Sequence, residues 1–244
     1  FRKIDNGFES AEPQTPMTKT ALALAEEAHR FKKTPRGLEK RINLGQDEVV
    51  AQRYFAELFA AFLRQEGIQV SESIAWQTVG HRDERIYEHH NQRTLADMIR
   101  PMLKYSTNFI ANQLALNLSQ ALLGGAACAE KVAKVYQQQL QALFHWESFT
   151  IEEGAGLSRE NRLSPKQLVD VLKAFAPWRH LLPEIEPNVY AKSGSLQAVS
   201  TLAGYVHHDT RWYPFVFMMN QTVPYGYRNR LARELEVILN ESFF

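Results

Sequence analysis

A chain of 244 residues, 45% hydrophobic and 23% charged, has the make-up of an ordinary globular protein and enough length for one large domain or two small ones. Its formal charge of +1 gives no electrostatic reason to expect nucleic acid or an anionic membrane as a partner, and its apolar runs are broken by Gln, Asn or Arg before they could span a bilayer. The single cysteine, Cys128 in GGAACAE, excludes an internal disulfide, which suits a reduced compartment and equally a periplasmic protein built without one.

In chain order, residues 1–16 read as a strand end followed by a polar, Pro-containing loop. Residues 17–33 and 47–66 read as helices; in the second, Val50, Tyr54, Leu58 and Phe62 recur at i+4 and Gly67 is the stop. Ile68, Val70, Ile74 and Trp76 alternate as on one face of a strand. The polar run GHRDERIYEHHNQRT reads as a loop. It holds His81, His89 and His90 near Glu84 and Glu88, but without H-E-x-x-H spacing, so no metal site is expected there.

Thr94 with Asp97 signals an N-cap and a capping box, for a helix expected to be interrupted near Pro101. A second helix carries Phe109, Ile110, Leu114, Leu118 and Leu122 and stops at Gly124-Gly125. Another covers roughly 128–144. Ser164-Pro165 starts a helix that Pro177 is expected to end. Beyond VYAKSGSLQ, residues 198–206 form one strand, HHDTR a loop that leaves His207 and His208 solvated, and WYPFVFMMN the return strand, with Pro214 marking an edge or bulge. A last helix covers roughly 227–240. Helices, then antiparallel strands, then a helix imply an α+β fold with helices packed on a sheet.

Three segments carry chemistry. Ser106 and Asn108 stand at the start of an amphipathic helix, where either could simply cap it. IEEGAGLSRENRLSP is a Gly-rich loop leading into the Ser164 helix. KSGS, residues 192–195, opens the hairpin; a lysine beside small hydroxyl residues on a strand edge can hold an anion, and a glycine inside a strand marks the close approach of a backbone or ligand.

Together these resemble the penicillin-recognising serine peptidases, and among them the class C low-molecular-mass penicillin-binding proteins of the PBP4 type, the D-alanyl-D-alanine carboxypeptidases of peptidase family S13. The S-x-N triplet appears as Ser106-Thr107-Asn108, the D-G-S-G-L-S-R loop as Glu153-Gly154-Ala155-Gly156-Leu157-Ser158-Arg159, and K-T-G as Lys192-Ser193-Gly194, in that order. The resemblance implies a β-lactamase/transpeptidase-like fold and a catalytic role for Ser106 as proton relay. It implies that the backbone N–H of Ser195 is an oxyanion donor. Asn108, Lys192, Ser193 and Gly194 would bind substrate, the lysine and hydroxyl meeting its terminal carboxylate while the glycine lets the peptide approach. Gly154, Gly156 and Ser158 would form a structural loop beside the site. The implied partners are the D-Ala-D-Ala end of a peptidoglycan stem peptide and β-lactams, without cofactor or metal, in the periplasm or another extracytoplasmic space.

One element of the family pattern is missing. Its nucleophile lies in S-x-x-K, where the lysine deprotonates the serine one turn earlier. No serine here has a lysine three residues on; Ser164-Pro165-Lys166 is one residue too short. The expectation is therefore a C-terminal part of such an enzyme, incomplete at its N-terminal side, with residues 1–46 a connecting segment and 47–244 the transpeptidase-like part. Such a piece is expected to self-associate or pair with the missing segment. The other reading is an inactive homologue that binds muropeptide without cleaving it.

Overall fold

The computed structural model describes residues 1–40, 42 and 47–241. The chain divides into two compact units, Phe1–Glu88 and His89–Phe244. The division expected after residue 46 falls on residues 43–46, which lie outside the described ones.

In the first unit, residues 1–16 contain more than a strand end. β1 (Arg2–Ile4) and β2 (Gly7–Glu9) form a short antiparallel hairpin, with Arg2 opposite Glu9 and paired to its carboxylate at 3.2 Å. α1 (Lys19–Phe31) starts at Thr18, whose hydroxyl accepts from the Ala21 N–H; α2 (Glu48–Gln65) starts at Asp47, whose carboxylate accepts from the Val50 N–H. Glu57 of α2 accepts from the Thr20 N–H and hydroxyl at 2.8 and 3.0 Å, so the two helices meet through a charge-assisted contact. The strand expected over 68–76 is absent: this stretch has no regular structure and Trp76 is 53% exposed. Alternation creates an apolar face, but a strand also needs a neighbour for its backbone groups, and none of the described strands pairs with this one.

The second unit is layered. α3 (Leu95–Tyr105) starts in the reciprocal Thr94–Asp97 capping box and runs unbroken through Pro101. The proline lacks an N–H, yet the box secures the turn before it, so the expected interruption does not occur. α4 (Asn108–Leu123) ends at Gly124, with φ +70°, and α5 (Ala129–Phe144) follows from Cys128 at its N-cap. α6 (Pro165–Phe175) begins with a Ser164–Gln167 capping box and ends before Pro177, as expected; the chain then tightens into a 3-10 turn, Ala176–Leu181. A proline fits the start of that turn because its N–H would have no helical partner there.

β3 (Glu184–Glu186), β4 (Val189–Leu196), β5 (Val199–His208) and β6 (Arg211–Met219) form one antiparallel sheet in that order. α7 (Tyr227–Glu241) packs on one face, where Val189, Ala191, Leu202, Val206 and Phe215 enclose Ala232. The other face receives Leu172 of α6 and Leu103 of α3 against Tyr190, Ala203 and Tyr205. The period of two along each strand assigns alternate residues to these layers. Tyr205, 2% exposed, donates its hydroxyl to the Leu172 carbonyl near the end of α6, and burial pushes its pKa up to about 12, only partly offset by Arg179.

The β5–β6 hairpin is tighter than HHDTR suggested. His207 and His208 pair with Trp212 and Arg211, and His207 stacks on Trp212 at 4.4 Å rather than lying in solvent. Pro214 lies on β6, at the end of the sheet order, where a missing N–H breaks no ladder.

Candidate functional site

α3, α4, the 153–159 loop and β4 enclose a cleft of about 720 Å³ in the second unit. Ser106, Asn108, Gly154, Gly156, Lys192, Ser193, Gly194 and Ser195 all line it, so residues up to 89 positions apart in the chain meet in one place. Ser158 does not line it. Its hydroxyl is turned to Glu152, and its N–H joins the loop described below.

Ser106 caps the C-terminal end of α3 and is not part of the next helix. It has φ 55° and ψ 51°, the left-handed region. A residue with a Cβ is disfavoured there by about 1 kcal/mol or more. The simple capping reading of the triplet fails: α4 is entered through Thr107, which makes no side-chain cap bond, and Asn108 is the first helical residue with its side chain exposed. Ser106 instead receives a hydrogen bond from the Lys192 ammonium. Because an ammonium only donates, the Ser106 oxygen is the acceptor and its own O–H is left as a donor.

Lys192 reaches this position from the α3 side of β4 and also donates to the Ser193 carbonyl at 2.7 Å. Burial lowers its pKa, and the charge of Arg228 adds to that effect. The edge of β4 supplies the rest. β3 pairs only with Val189 and Tyr190, and the Ala191 N–H reaches the Pro183 carbonyl on that same edge. Two-residue periodicity directs the N–H groups of Ser193 and Ser195 to the same edge, beyond the last residue that β3 covers. The side-chain parity differs: Ser193 and Ser195 share the α7 face, and the Ser195 hydroxyl accepts from Arg228 at 2.8 Å. A Cβ on Gly194 would come within 2.4 Å of the Thr201 hydroxyl oxygen on β5. A side chain at 194 would thus require the Thr201 hydroxyl to rotate away.

The Gly-rich loop is organised by its own glutamate. Glu153 accepts from the N–H groups of Ala155 at 2.7 Å, Gly156 at 3.1 Å, Leu157 at 2.7 Å and Ser158 at 3.2 Å, and from the Asn161 amide at 3.2 Å. Burial pulls its pKa up, but these hydrogen bonds outweigh it and the net shift is down. Gly154 docks the loop on α4: its N–H donates to Asn112 at 2.9 Å, and a Cβ there would lie 2.4 Å from the Ala111 carbonyl oxygen. Arg159 ties the far end to the Gln197 carbonyl at 2.9 Å.

Asn112 and Arg228 were not singled out from sequence. Asn112 carries a faint signal, being four residues after Asn108 on the same face of α4. Arg228 carries none, because only the packing of α7 brings it beneath β4. Among the described residues no three His, Cys, Asp or Glu side chains are grouped to hold a metal ion.

Comparison with known proteins gives this arrangement a context. The chain is 27% identical over 180 residues to the D-alanyl-D-alanine carboxypeptidase DacB of Haemophilus influenzae, covering 63% of this chain and 37% of that protein. It shares its fold with penicillin binding protein 4 of the same organism. One crystal structure superposes with a TM-score of 0.64 at 22% identity, over 87% of this chain and 52% of that one. A second, in complex with a novel β-lactam, gives 0.60 at 23% identity, over 77% and 50%. The chain therefore spans about half the length of these solved relatives or less. The D-Ala-D-Ala carboxypeptidase 3 (S13) family matches residues 40–184, a stretch that includes the Ser106 triplet and the Glu153 loop and stops short of Lys192. That match covers more than half of the chain, and the protein belongs to the S13 family.

Proposed function

We propose that this chain supplies the carboxylate-binding and proton-relay half of a serine-type D-Ala-D-Ala carboxypeptidase acting, with or without endopeptidase activity, on peptidoglycan stem peptides outside the cytoplasm. The observation that carries the reading is the Lys192–Ser106 hydrogen bond beside a stretch of strand edge that no described strand covers. A terminal carboxylate lies against that edge, opposite the Lys192 charge and the Ser193 hydroxyl, and the Asn108 amide holds the peptide on the other wall. The scissile carbonyl oxygen takes the Ser195 N–H. A serine gives its proton to the lysine of its S-x-x-K motif as its oxygen attacks the carbonyl carbon, the C–N bond to the last D-Ala breaks, and Ser106 relays a proton from that lysine to the departing nitrogen. Water then hydrolyses the acyl ester and regenerates the serine. The attacking serine and its lysine come from an S-x-x-K segment outside these 244 residues. β-Lactams acylate the same serine. Gly154 and Gly156 shape the wall without reacting, and Ser158 secures their loop through Glu153.

The lack of S-x-x-K within the sequence also favours a second reading, a muropeptide-binding homologue without peptidase activity. Intact mass after incubation with a penicillin separates the two. The enzyme reading expects no adduct on residues 1–244 and one penicilloyl group on the product of the complete reading frame. No adduct on either selects the binding module, and an adduct on residues 1–244 overturns the assignment of the nucleophile. The carboxylate site itself is tested by titrating acetyl-D-alanyl-D-alanine into the chain: Lys192→Gln should weaken binding by about tenfold or more, and unchanged affinity would remove Lys192 from the site.

A further inference from the structure

Arg228 sits in the first turn of α7, beneath the face of β4 opposite Lys192. Its Nη1 donates to the Gly194 carbonyl at 2.6 Å and the Ser195 hydroxyl at 2.8 Å, with a longer contact to the Thr201 carbonyl at 3.4 Å. Thr201 is the residue paired with Gly194. One guanidinium therefore grips the strand where β3 no longer covers it. A second pocket, about 450 Å³, lies on this side and is lined by Arg228 together with Ser193 and Ser195, so the two serines border both cavities.

We propose that Arg228 is a positioning residue for carboxylate recognition, clamping Gly194 and Ser195 so that the open edge of β4 keeps its anion-facing geometry and placing a second fixed positive charge behind Lys192. The ligand arm of this inference rests on the function proposed above. The charge arm does not, because it concerns Lys192 alone. Among the described residues lining the cleft, Lys192 is the only ionisable one. The other charged groups of the surrounding elements are engaged elsewhere or lie off the cleft wall. Glu153 is folded into its own loop, Arg159 holds Gln197, Lys104 of α3 lies 5.4 Å over the Tyr105 ring, and Asp170 of α6 takes the Trp146 indole N–H at 3.4 Å. Lys166 and Lys173 of α6 are outside the lining, as are Asp97, Arg100 and Tyr105 of α3 and Tyr190 of β4; α4 has no ionisable side chain; β5 carries Tyr205, bonded to the Leu172 carbonyl, and His207 and His208 at its far end, and β6 carries Arg211 and Tyr213. Arg228 is the charge that acts on Lys192.

The test uses the chain with Arg228→Gln and Arg228→Lys, each verified as folded by its amide spectrum. Lys192 is titrated by NMR of its labelled ε-carbon, and the probes are acetyl-D-alanyl-D-alanine and its C-terminal amide. Arg228→Gln should raise the Lys192 midpoint and lower affinity for the carboxylate by about tenfold while changing the amide by less than about twofold. Arg228→Lys, which keeps the charge on a shorter side chain, should leave the midpoint near wild type and recover part of the carboxylate preference. An unchanged midpoint, or an equal loss for both ligands, would overturn the inference, since a merely structural clamp weakens both alike. If the wild-type chain binds neither ligand, the proposed function fails, and Arg228 is then judged on the midpoint: raised in Arg228→Gln it stands, unmoved it falls. A variant that unfolds is replaced by Ser195→Ala, which removes one acceptor of the clamp and should lower the carboxylate-to-amide preference; an unaltered preference there would also overturn it.

Discussion

Among the described residues, Ser106 is the one non-glycine residue in the left-handed region that also lines the cleft. Ser106 would be relieved by glycine, which reaches φ 55° without a steric penalty. Ser106→Gly is therefore expected to leave stability within about 0.5 kcal/mol of wild type, because relief of strain and added chain entropy nearly cancel. The same change should lower affinity for acetyl-D-alanyl-D-alanine, since the Lys192 ammonium loses its acceptor. Denaturant titration and calorimetry read the two effects separately, and a clear loss of stability would mean that the serine is there for the fold. The chain order of S-T-N and K-S-G was legible as a pattern; the left-handed turn was not, because nothing local distinguishes a serine that caps the following helix from one that ends the preceding one.

Among elements, the loop from Glu153 to Arg159 shows how a flexible composition becomes a rigid wall. Its four backbone donors converge on one carboxylate, and Gly154 lets the loop approach the α4 backbone. Glu153→Gln leaves an amide whose single oxygen cannot take all four donors, and should cost about 1–2 kcal/mol, reduced from the buried-group range because the side chain is partly exposed. The pH sign follows from the lowered carboxyl pKa: stability from Glu153 is complete above the ordinary carboxylate range and is lost as pH falls through the folded-state value. Amide hydrogen exchange at residues 155–158, followed into acid, should show protection fading in wild type and already weak in Glu153→Gln. Equal protection in both proteins would sink this account. The glycines announced a loop, whereas the convergence on Glu153 depends on a backbone path that composition does not specify.

For the whole molecule, the two units differ in how they are secured. The second has a sheet covered by α7 on one face and by α6 and α3 on the other, while residues 68–93 run without helix or strand, and the side chains of Ile86 and Tyr87 are 96% and 76% exposed. Limited trypsin treatment should cut first at Arg82, Arg85 or Arg93 and leave one fragment carrying Ser106 through Arg228 intact. Early cleavage at Lys134 of α5 or Lys192 of β4, read by mass spectrometry, would contradict the assignment of the second unit as a folded body.

By itself the sequence determined the helices, the Thr94 and Ser164 caps, the antiparallel strands around K-S-G, and the family, because capping boxes, i+4 stripes and short motifs act over a few residues and leave a local trace. Only the tertiary structure decided that Ile68–Trp76 stays irregular and that Arg228 stands under Gly194 and Ser195. Each of these outcomes depends on whether distant backbone or side-chain groups arrive to satisfy hydrogen bonds, and that information resides in packing rather than in neighbouring residues.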